Sequence, residues 1–353
     1  MTSKDTALAA KMAAVRLLRN IVMYLPHRLW LSRILKESAN FCLEDQEIIV
    51  ILSCDTEFDP PYLNETWKSR STRGFIEGMP RLLELCDRYE APATLFCEAR
   101  LVEEFPDEFR DLAPSHEIGC HSYNHEWLGT RLPPRFILQR QEFPILSTQA
   151  KARILTHARK SIEHAIGKAP RSFKAPFNSV DHVSTLSLLS KLGFDSDSSL
   201  PCYNDESFSH PSRPSPCHHV SPADLWSQGT MHLIEVPFTA RPQPLFWHPY
   251  DTREEVLDMI RRSMRLALEC VELQCRIDIL SGRHFSVVHV TSHPWEFSNV
   301  TGVGGYGKES FKRLQVFFDK LLSTYKIRFL TVSEFTDLWE REWCPLHSSK
   351  RMV

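Results

Sequence analysis

A repeat of short apolar runs separated by helical stripes constrains the fold of this chain most strongly. Strand-like runs fall at Ile48–Cys54, Ala93–Cys97, Glu117–His121, Ser172–Pro176, Phe194–Ser198, Leu233–Phe238, Ser286–Ser292 and Arg328–Val332. Helix-like segments lie between several of them. Gly78–Tyr89 carries Met79, Leu82, Leu83 and Leu85 on one face, and Thr148–Ile166 is longer and amphipathic. Ser184–Leu192 ends at Gly193, a C-cap residue; Glu254–Leu280 is the longest, with Ser310–Tyr325 behind it. Such alternation marks βα units and a parallel sheet. The number of runs suits a barrel-like sheet better than an open one. With 42% hydrophobic and 24% charged residues, the chain has the means to build a real core.

Ligand sites in parallel βα sheets gather at the carboxyl ends of the strands. Here those ends carry chemistry. The run Ile48–Leu52 delivers Ser53-Cys-Asp55-Thr-Glu57, and Val287–Val290 delivers Thr291-Ser-His293-Pro-Trp295. Between them, Glu117–His121 opens the pentapeptide His121-Ser-Tyr-Asn-His125. Two imidazoles four residues apart can face one way on a single helical turn and grip one divalent cation. Asp55, His121, Lys174 and His293 all sit at strand ends, so metal-binding and proton-moving groups converge. That arrangement points to a hydrolase.

Asp55-Thr-Glu57, His121-Ser-x-x-His125, Lys174-Ala-Pro-Phe177 and His293-Pro-Trp-Glu296 follow the order of motifs in the polysaccharide deacetylases. The chain resembles this NodB-homology family (carbohydrate esterase family 4) over about residues 46–340. Its Asp-x-Glu and His-Pro-Trp-Glu variants resemble the branch with peptidoglycan-deacetylase-like and allantoinase-like members. They are also similar to a deformylase of the aminoarabinose–undecaprenyl phosphate pathway, which has Asp-x-Asp in the first motif. The resemblance implies an α/β fold, a distorted (β/α)7-type barrel. An N-terminal helical extension is expected over residues 1–45, the barrel over 46–342 and a tail over 343–353.

The residues agree with that resemblance. Asp55 and Glu57 are two apart and point the same way on an extended strand. Glu57 with His121 and His125 forms a ligand set that suits Zn2+, with Co2+, Ni2+ or Mn2+ as alternatives. Asp55 is the expected general base, and His293, entering from across the barrel, the expected general acid. His289, inside its strand, is expected to be structural. Lys174 stands where the family usually has arginine tethering the base; lysine keeps the charge but loses the bidentate fork. Pro176 and Phe177 are expected at the substrate, with the Phe177 N–H toward the oxyanion and its ring walling the pocket. Trp295 and Glu296 are expected either to meet a sugar or to close the barrel bottom.

The remaining features narrow the context. A net charge of −2 argues against nucleic acid as a partner. The ten cysteines form no Cys-x-x-Cys pair, which suits a reducing, cytoplasmic setting. Ala7–Tyr24 is apolar but interrupted by Lys11, Arg16 and Arg19, with Arg28 and Arg33 beyond. It is neither a clean signal peptide nor a span. It reads as an amphipathic helix packed on the barrel, or as a basic helix lying on the inner face of a membrane. Pro201–Gln228 reads as a long irregular loop in which His218-His219 is expected to be solvated rather than ligating, with a role at the rim as the alternative. Phe246–Tyr250 reads as an aromatic rim loop. Gly302-Val-Gly-Gly-Tyr-Gly307 lies too far past its strand for a dinucleotide turn and reads as a lid beside His293. Asn299-Val-Thr301 is a glycosylation sequon without meaning in a cytoplasmic chain. Asp195-Ser-Asp197-Ser-Ser199 is given a structural or rim role. The expected function is metal-dependent removal of an N-acyl group from an amino sugar or glycan, lipid-linked in the membrane reading. Acetyl is favoured over formyl. The alternatives are cyclic-amide hydrolysis and a catalytically weakened glycan-binding protein.

Overall fold

The computed structural model describes residues 32–40, 46–59, 71–129, 145–181, 184–200, 217–223, 228–238, 268–269, 271–276, 278–280, 282–298 and 307–343. The Phe246–Tyr250 loop, the sequon, the glycine string up to Tyr306, most of the helix expected over 254–280 and most of the amino-terminal extension lie outside them. Within the described parts of those last two, residues 271–276 and 32–37 are helical. No described helix is long and apolar enough to cross a membrane.

One curled sheet organises the described chain. Its strands are β1 (Glu47–Thr56), β2 (Ala93–Cys97), β3 (Glu117–Cys120), β4 (Ser172–Phe173), β5 (Ser196–Asp197), β6 (His218–His219), β7 (Ile234–Glu235), β8 (Phe285–Ser292) and β9 (Lys326–Phe329). The order is β6-β7-β5-β4-β3-β2-β1-β8. All described pairings between these strands are parallel except β6 with β7. On one side β1 pairs with β8. Its other side is divided, with β9 beside Glu47–Val50 and β2 beside Leu52–Thr56.

The buried run of β1 serves both faces, because successive side chains alternate. Ile48, Val50, Leu52 and Cys54 point outward into a core shared with helices α1 (Arg73–Tyr89) and α4 (Thr148–Ile166). Ile49 and Ile51 point inward and meet Phe285 and Val287 of β8, Ile234 and Val236, and helix α7 (Val332–Trp343) through Val332, Phe335, Leu338 and Trp339. Helix α7 plugs the amino-terminal end of the curl. The Val332 N–H donates to Thr94 Oγ1 at 2.8 Å, and the Ser333 N–H donates to Glu117 Oε2 at 2.9 Å. Arg171 forks onto Asp337 at 2.6 and 3.1 Å while also reaching Asp195. Going up the same inner face, hydrocarbon gives way to Ser53, Asp55 and Glu57 on β1 and its extension. Along β8 and just beyond it the sequence is His289, Thr291 and His293.

His289 joins the two sides of the curl. It is buried, with Nε2 2.8 Å from Ser53 Oγ and Nδ1 3.3 Å from the Val236 carbonyl, just past β7. Burial first, then the Lys174 charge, pushes its pKa down to about 3. It is therefore a neutral structural imidazole at ordinary pH.

Some elements differ from the sequence reading. Two short helices, α2 (Ala99–Glu104) and α3 (Pro106–Leu112), follow β2 and are too brief for a periodic signal, whereas α5 (Thr185–Lys191) and α6 (Gly307–Thr324) fall close to stretches that read as helical. The last strand is Lys326–Phe329 rather than Arg328–Val332. The chain turns into α7 at Thr331-x-x-Glu334, a capping box in which the Thr331 N–H donates to Glu334 and the Glu334 N–H donates to Thr331 Oγ1. His218 and His219 are not a solvated pair in a loop. They form β6 and are 3% and 5% exposed.

Helix α1 packs against a 3-10 turn, Pro294–Phe297, that follows β8. The approach is so close that a Cβ on Gly78 would collide with the Pro294 carbonyl oxygen. Overpacking of this kind costs about 1–3 kcal/mol. Gly78→Ala is expected to lower the urea midpoint accordingly at unchanged slope, and an unaltered midpoint would show that the contact is loose.

Candidate active site

Glu57 follows β1, and His121 and His125 follow β3. Their ligand atoms all lie within 4.8 Å of one another. Glu57 Oε2 stands 2.6 Å from His125 Nε2 and 3.6 Å from His121 Nε2. His121 Nδ1 lies 2.8 Å from the Lys174 carbonyl. It must donate there, which leaves the Nε2 lone pair aimed at Glu57. Glu57 Oε2 is buried and makes no hydrogen bond of acceptable geometry. A carboxylate oxygen without a hydrogen bond, facing imidazole nitrogens in a buried setting, is a donor set that a divalent cation fits.

The segment His121–His125 is not a helical turn. Ser122 and His125 take left-handed φ values of 66° and 58°, so the chain loops between the two imidazoles. Glu126 holds the loop: its Oε2 accepts from the Tyr123 N–H at 3.2 Å, the Asn124 N–H at 2.9 Å and the Ser122 hydroxyl. The imidazole rings lie 5.3 Å apart.

Asp55 sits beside this cluster, and Lys174 fixes it. Lys174 Nζ donates to Asp55 Oδ1 and Oδ2 at 2.7 Å each and to Thr291 Oγ1 at 2.7 Å, and lies 4.8 Å from the Phe238 ring centroid. Loss of the bidentate fork does not loosen the tether, because both oxygens are held. Burial alone would raise the Asp55 pKa, but the Lys174 charge, with His121 and His293, holds it below the usual carboxylate value. For Glu57, burial likewise opposes ionisation, and His125 leads the groups that hold it well below the usual range.

His293 faces both carboxylates from the far side, with Nε2 3.8 Å from Asp55 Oδ2 and 3.9 Å from Glu57 Oε1. Glu296 grips it twice: Oε2 accepts from the His293 backbone N–H at 2.9 Å, and Oε1 lies 3.2 Å from Nδ1. Burial would lower its pKa, yet the charge and hydrogen bond of Glu296, then Glu57 and Asp55, raise it to about 9. The Trp295 ring stacks on His293 at 4.6 Å, and Gly74 of α1 approaches Trp295 Cβ. Trp295 and Glu296 therefore belong to the carboxyl end of the barrel, beside the site, and not to its bottom. Glu126 and Glu296 are the residues whose roles sequence reasoning missed. Glu296 grips His293 itself and Glu126 the loop that carries His125, and their short spacing from these histidines is their one sequence signal.

Pro176 is buried at the start of a 3-10 turn, and Phe177 follows at φ 57°. This turn lays the Phe177 ring edge-on to His125 at 4.4 Å and near Trp127 at 5.7 Å. The structure thus gathers Asp55, Glu57, His121, His125, Lys174, Pro176, Phe177, His293 and Trp295 at one end of the barrel.

Residues 73–196 match the family model described as polysaccharide deacetylase. The chain is similar to a peptidoglycan deacetylase of Helicobacter pylori, 33% identical over 36% of this chain and 38% of that protein. It is also similar to the peptidoglycan deacetylase-like protein FGM2 of Gibberella zeae, 35% identical over 35% of this chain and 32% of that protein. The matched stretch thus spans roughly a third of each relative. A Mycobacterium smegmatis crystal structure assigned to the polysaccharide deacetylases has the same fold, with TM-score 0.58 at 19% identity over 84% of this chain and 92% of that one. Residues 73–196 are thus similar in sequence to the polysaccharide deacetylases, and the motif order and the fold agree with that likeness.

Proposed function

We propose that the chain is a metal-dependent hydrolase that removes an N-acyl group from an amino sugar within a glycan. Acetyl is the first choice and formyl the second. The observation that carries this reading is the convergence of Glu57, His121 and His125 on one point, flanked by Asp55 on Lys174 and by His293 on Glu296. Zn2+ is the favoured ion for one carboxylate and two imidazoles, with Co2+, Ni2+ or Mn2+ as substitutes. Such an ion would acidify a water and polarise the amide carbonyl.

The rest of the chemistry belongs to side chains. Asp55, ionised and held on both oxygens, accepts a proton from the attacking water. Lys174 keeps it in place and keeps it charged. His293 carries a proton at neutral pH and stands opposite, where it donates to the departing amine. The backbone N–H of Phe177 is assigned to the oxyanion, with its ring as a wall and Trp295 toward the sugar. The Asp-x-Glu and His-Pro-Trp-Glu motifs favour the branch with peptidoglycan-deacetylase-like members. Ring opening of a cyclic amide would use the same groups, and parallel assays on acetylated amino-sugar oligomers and cyclic ureides separate the two.

Asp55→Asn should leave bound metal at one equivalent by elemental analysis while acetate release falls on the order of a hundredfold to ten-thousandfold. His125→Ala should lose the metal as well. Full turnover in Asp55→Asn would sink the assignment of the base.

The proton on His293 sets the alkaline limit of activity, since the acid must be protonated to work. Glu296 supplies the largest contribution that raises its pKa. In Glu296→Gln the alkaline limb of the kcat profile is therefore expected to move to lower pH. A limb that stays in place would assign it to another group.

The basic residues of the amino-terminal segment support a cytoplasmic enzyme acting on a lipid-linked sugar at the inner membrane face. Removing residues 1–40 should shift the protein from the membrane to the soluble fraction, and unchanged fractionation would refute that placement.

A further inference from the structure

A second buried acidic pair lies on the outer face of the sheet, away from the metal ligands. Asp197 of β5 and Glu235 of β7 stand directly opposite one another across parallel strands, and both are fully buried. One oxygen of each is committed. Asp197 Oδ1 accepts from Ser199 Oγ at 2.6 Å, and Ser199 Oγ in turn accepts from the Ala175 N–H at 2.8 Å. Glu235 Oε1 accepts from the Leu200 N–H at 3.0 Å. The remaining oxygens, Asp197 Oδ2 and Glu235 Oε2, are buried and have no hydrogen-bond donor. Two ionised carboxylates in this position would place like charges side by side without solvent, which strongly disfavours the doubly ionised state. His218 of β6, opposite Glu235, is the titratable neighbour on that strand.

The pair reaches the site through Ala175. That residue lies between Lys174, which holds Asp55, and the Pro176–Phe177 turn assigned to the oxyanion. Ser199 fixes the Ala175 N–H, and Asp197 fixes Ser199.

We propose that Asp197 and Glu235 share a single proton and, as a positioning unit acting through Ser199, hold the Ala175–Phe177 segment in its working place. The positioning half of this inference rests on the proposed deacetylase mechanism, while the shared proton does not. Burial holds both carboxyls above their ordinary values; Asp197 pushes Glu235 up further, whereas the hydrogen bond with Glu235 pulls Asp197 back down, so Glu235 carries the proton and donates it to Asp197. The facing atoms must then be one donor and one acceptor.

This arithmetic gives a test. Asp197→Asn and Glu235→Gln each replace the shared proton with one amide donor, so each single variant should fold and work. The double variant, with both committed oxygens still required as acceptors, sets two NH2 groups against each other. Hydrogen exchange of peptides spanning 172–180 reads the Ala175 segment without any reference to catalysis. Protection is expected to match wild type in both single variants and to drop in the double variant. Acetate release is expected to follow it, with kcat falling about tenfold or more in the double variant at unchanged KM, the mark of an interaction made only in the transition state. If either single variant loses protection as fully as the double, no proton is shared and both acids serve as carboxylates. If the double variant keeps wild-type protection, the pair positions nothing. If protection follows the expected pattern while the wild type releases no acetate, the shared proton stands, and it is the deacetylase reading that fails.

Discussion

The active end of this barrel depends on neutralising two carboxylates that one strand buries together. The alternation of β1 sends Asp55 and Glu57 inward two residues apart, each 6% exposed. An uncompensated charge there is far costlier than any single packing contact in the core. The two are compensated differently. Asp55 receives an ammonium at 2.7 Å on each oxygen. Glu57 receives two imidazoles, which become cations only by taking up protons. In the proposed mechanism this asymmetry separates their chemical roles: the acid with a permanent counter-ion is the base, and the acid with lone pairs around it is the metal ligand.

Lys174 connects these roles mechanically. Its ammonium holds Asp55 and Thr291, its carbonyl fixes the His121 tautomer, and its own N–H donates to the Cys120 carbonyl at 3.0 Å. One residue of β4's extension thus ties β1, β3 and β8 at their carboxyl ends. The lower half of the same inner face is filled by α7 and closed by a neutral His289, and among the described residues Asp55, Glu57 and His293 gather at the upper end. Hydrocarbon below and charge above follow from one alternating pattern along β1 and β8.

Much of this was legible in the sequence because it depends on period and type. The inward register of Asp55 and Glu57 follows from a spacing of two, and the strand ends follow from the apolar runs. The identity of the imidazole pair was readable, but its conformation was not. Left-handed φ at Ser122 and His125 depends on Glu126 gathering backbone N–H groups, which no periodicity reports. The grip of Glu296 on His293 is illegible for a related reason: a spacing of three fits a sugar contact as well as a cap, and the turn after β8 supplies the cap. Helix α7 was overlooked although Thr331-x-x-Glu334 is a capping signature, because the preceding apolar run absorbed its first residue. Strand β6 lay within a Pro- and Ser-rich stretch whose composition hides two buried histidines.

The lysine at 174 illustrates how a departure from a family pattern can be resolved by geometry. An arginine fork would offer two parallel N–H groups in one plane. A lysine offers three donors around a point, and here two reach Asp55 and the third reaches Thr291. Phe238 covers the ammonium from the side, and the residue is 1% exposed. The space beside Phe238 is therefore shaped for a compact cation, and Thr291 takes up the donor that a planar guanidinium would have aimed elsewhere. The two residues, Lys174 and Thr291, are best regarded as one solution to holding Asp55, so the character of the tether is set by the pair rather than by the lysine alone.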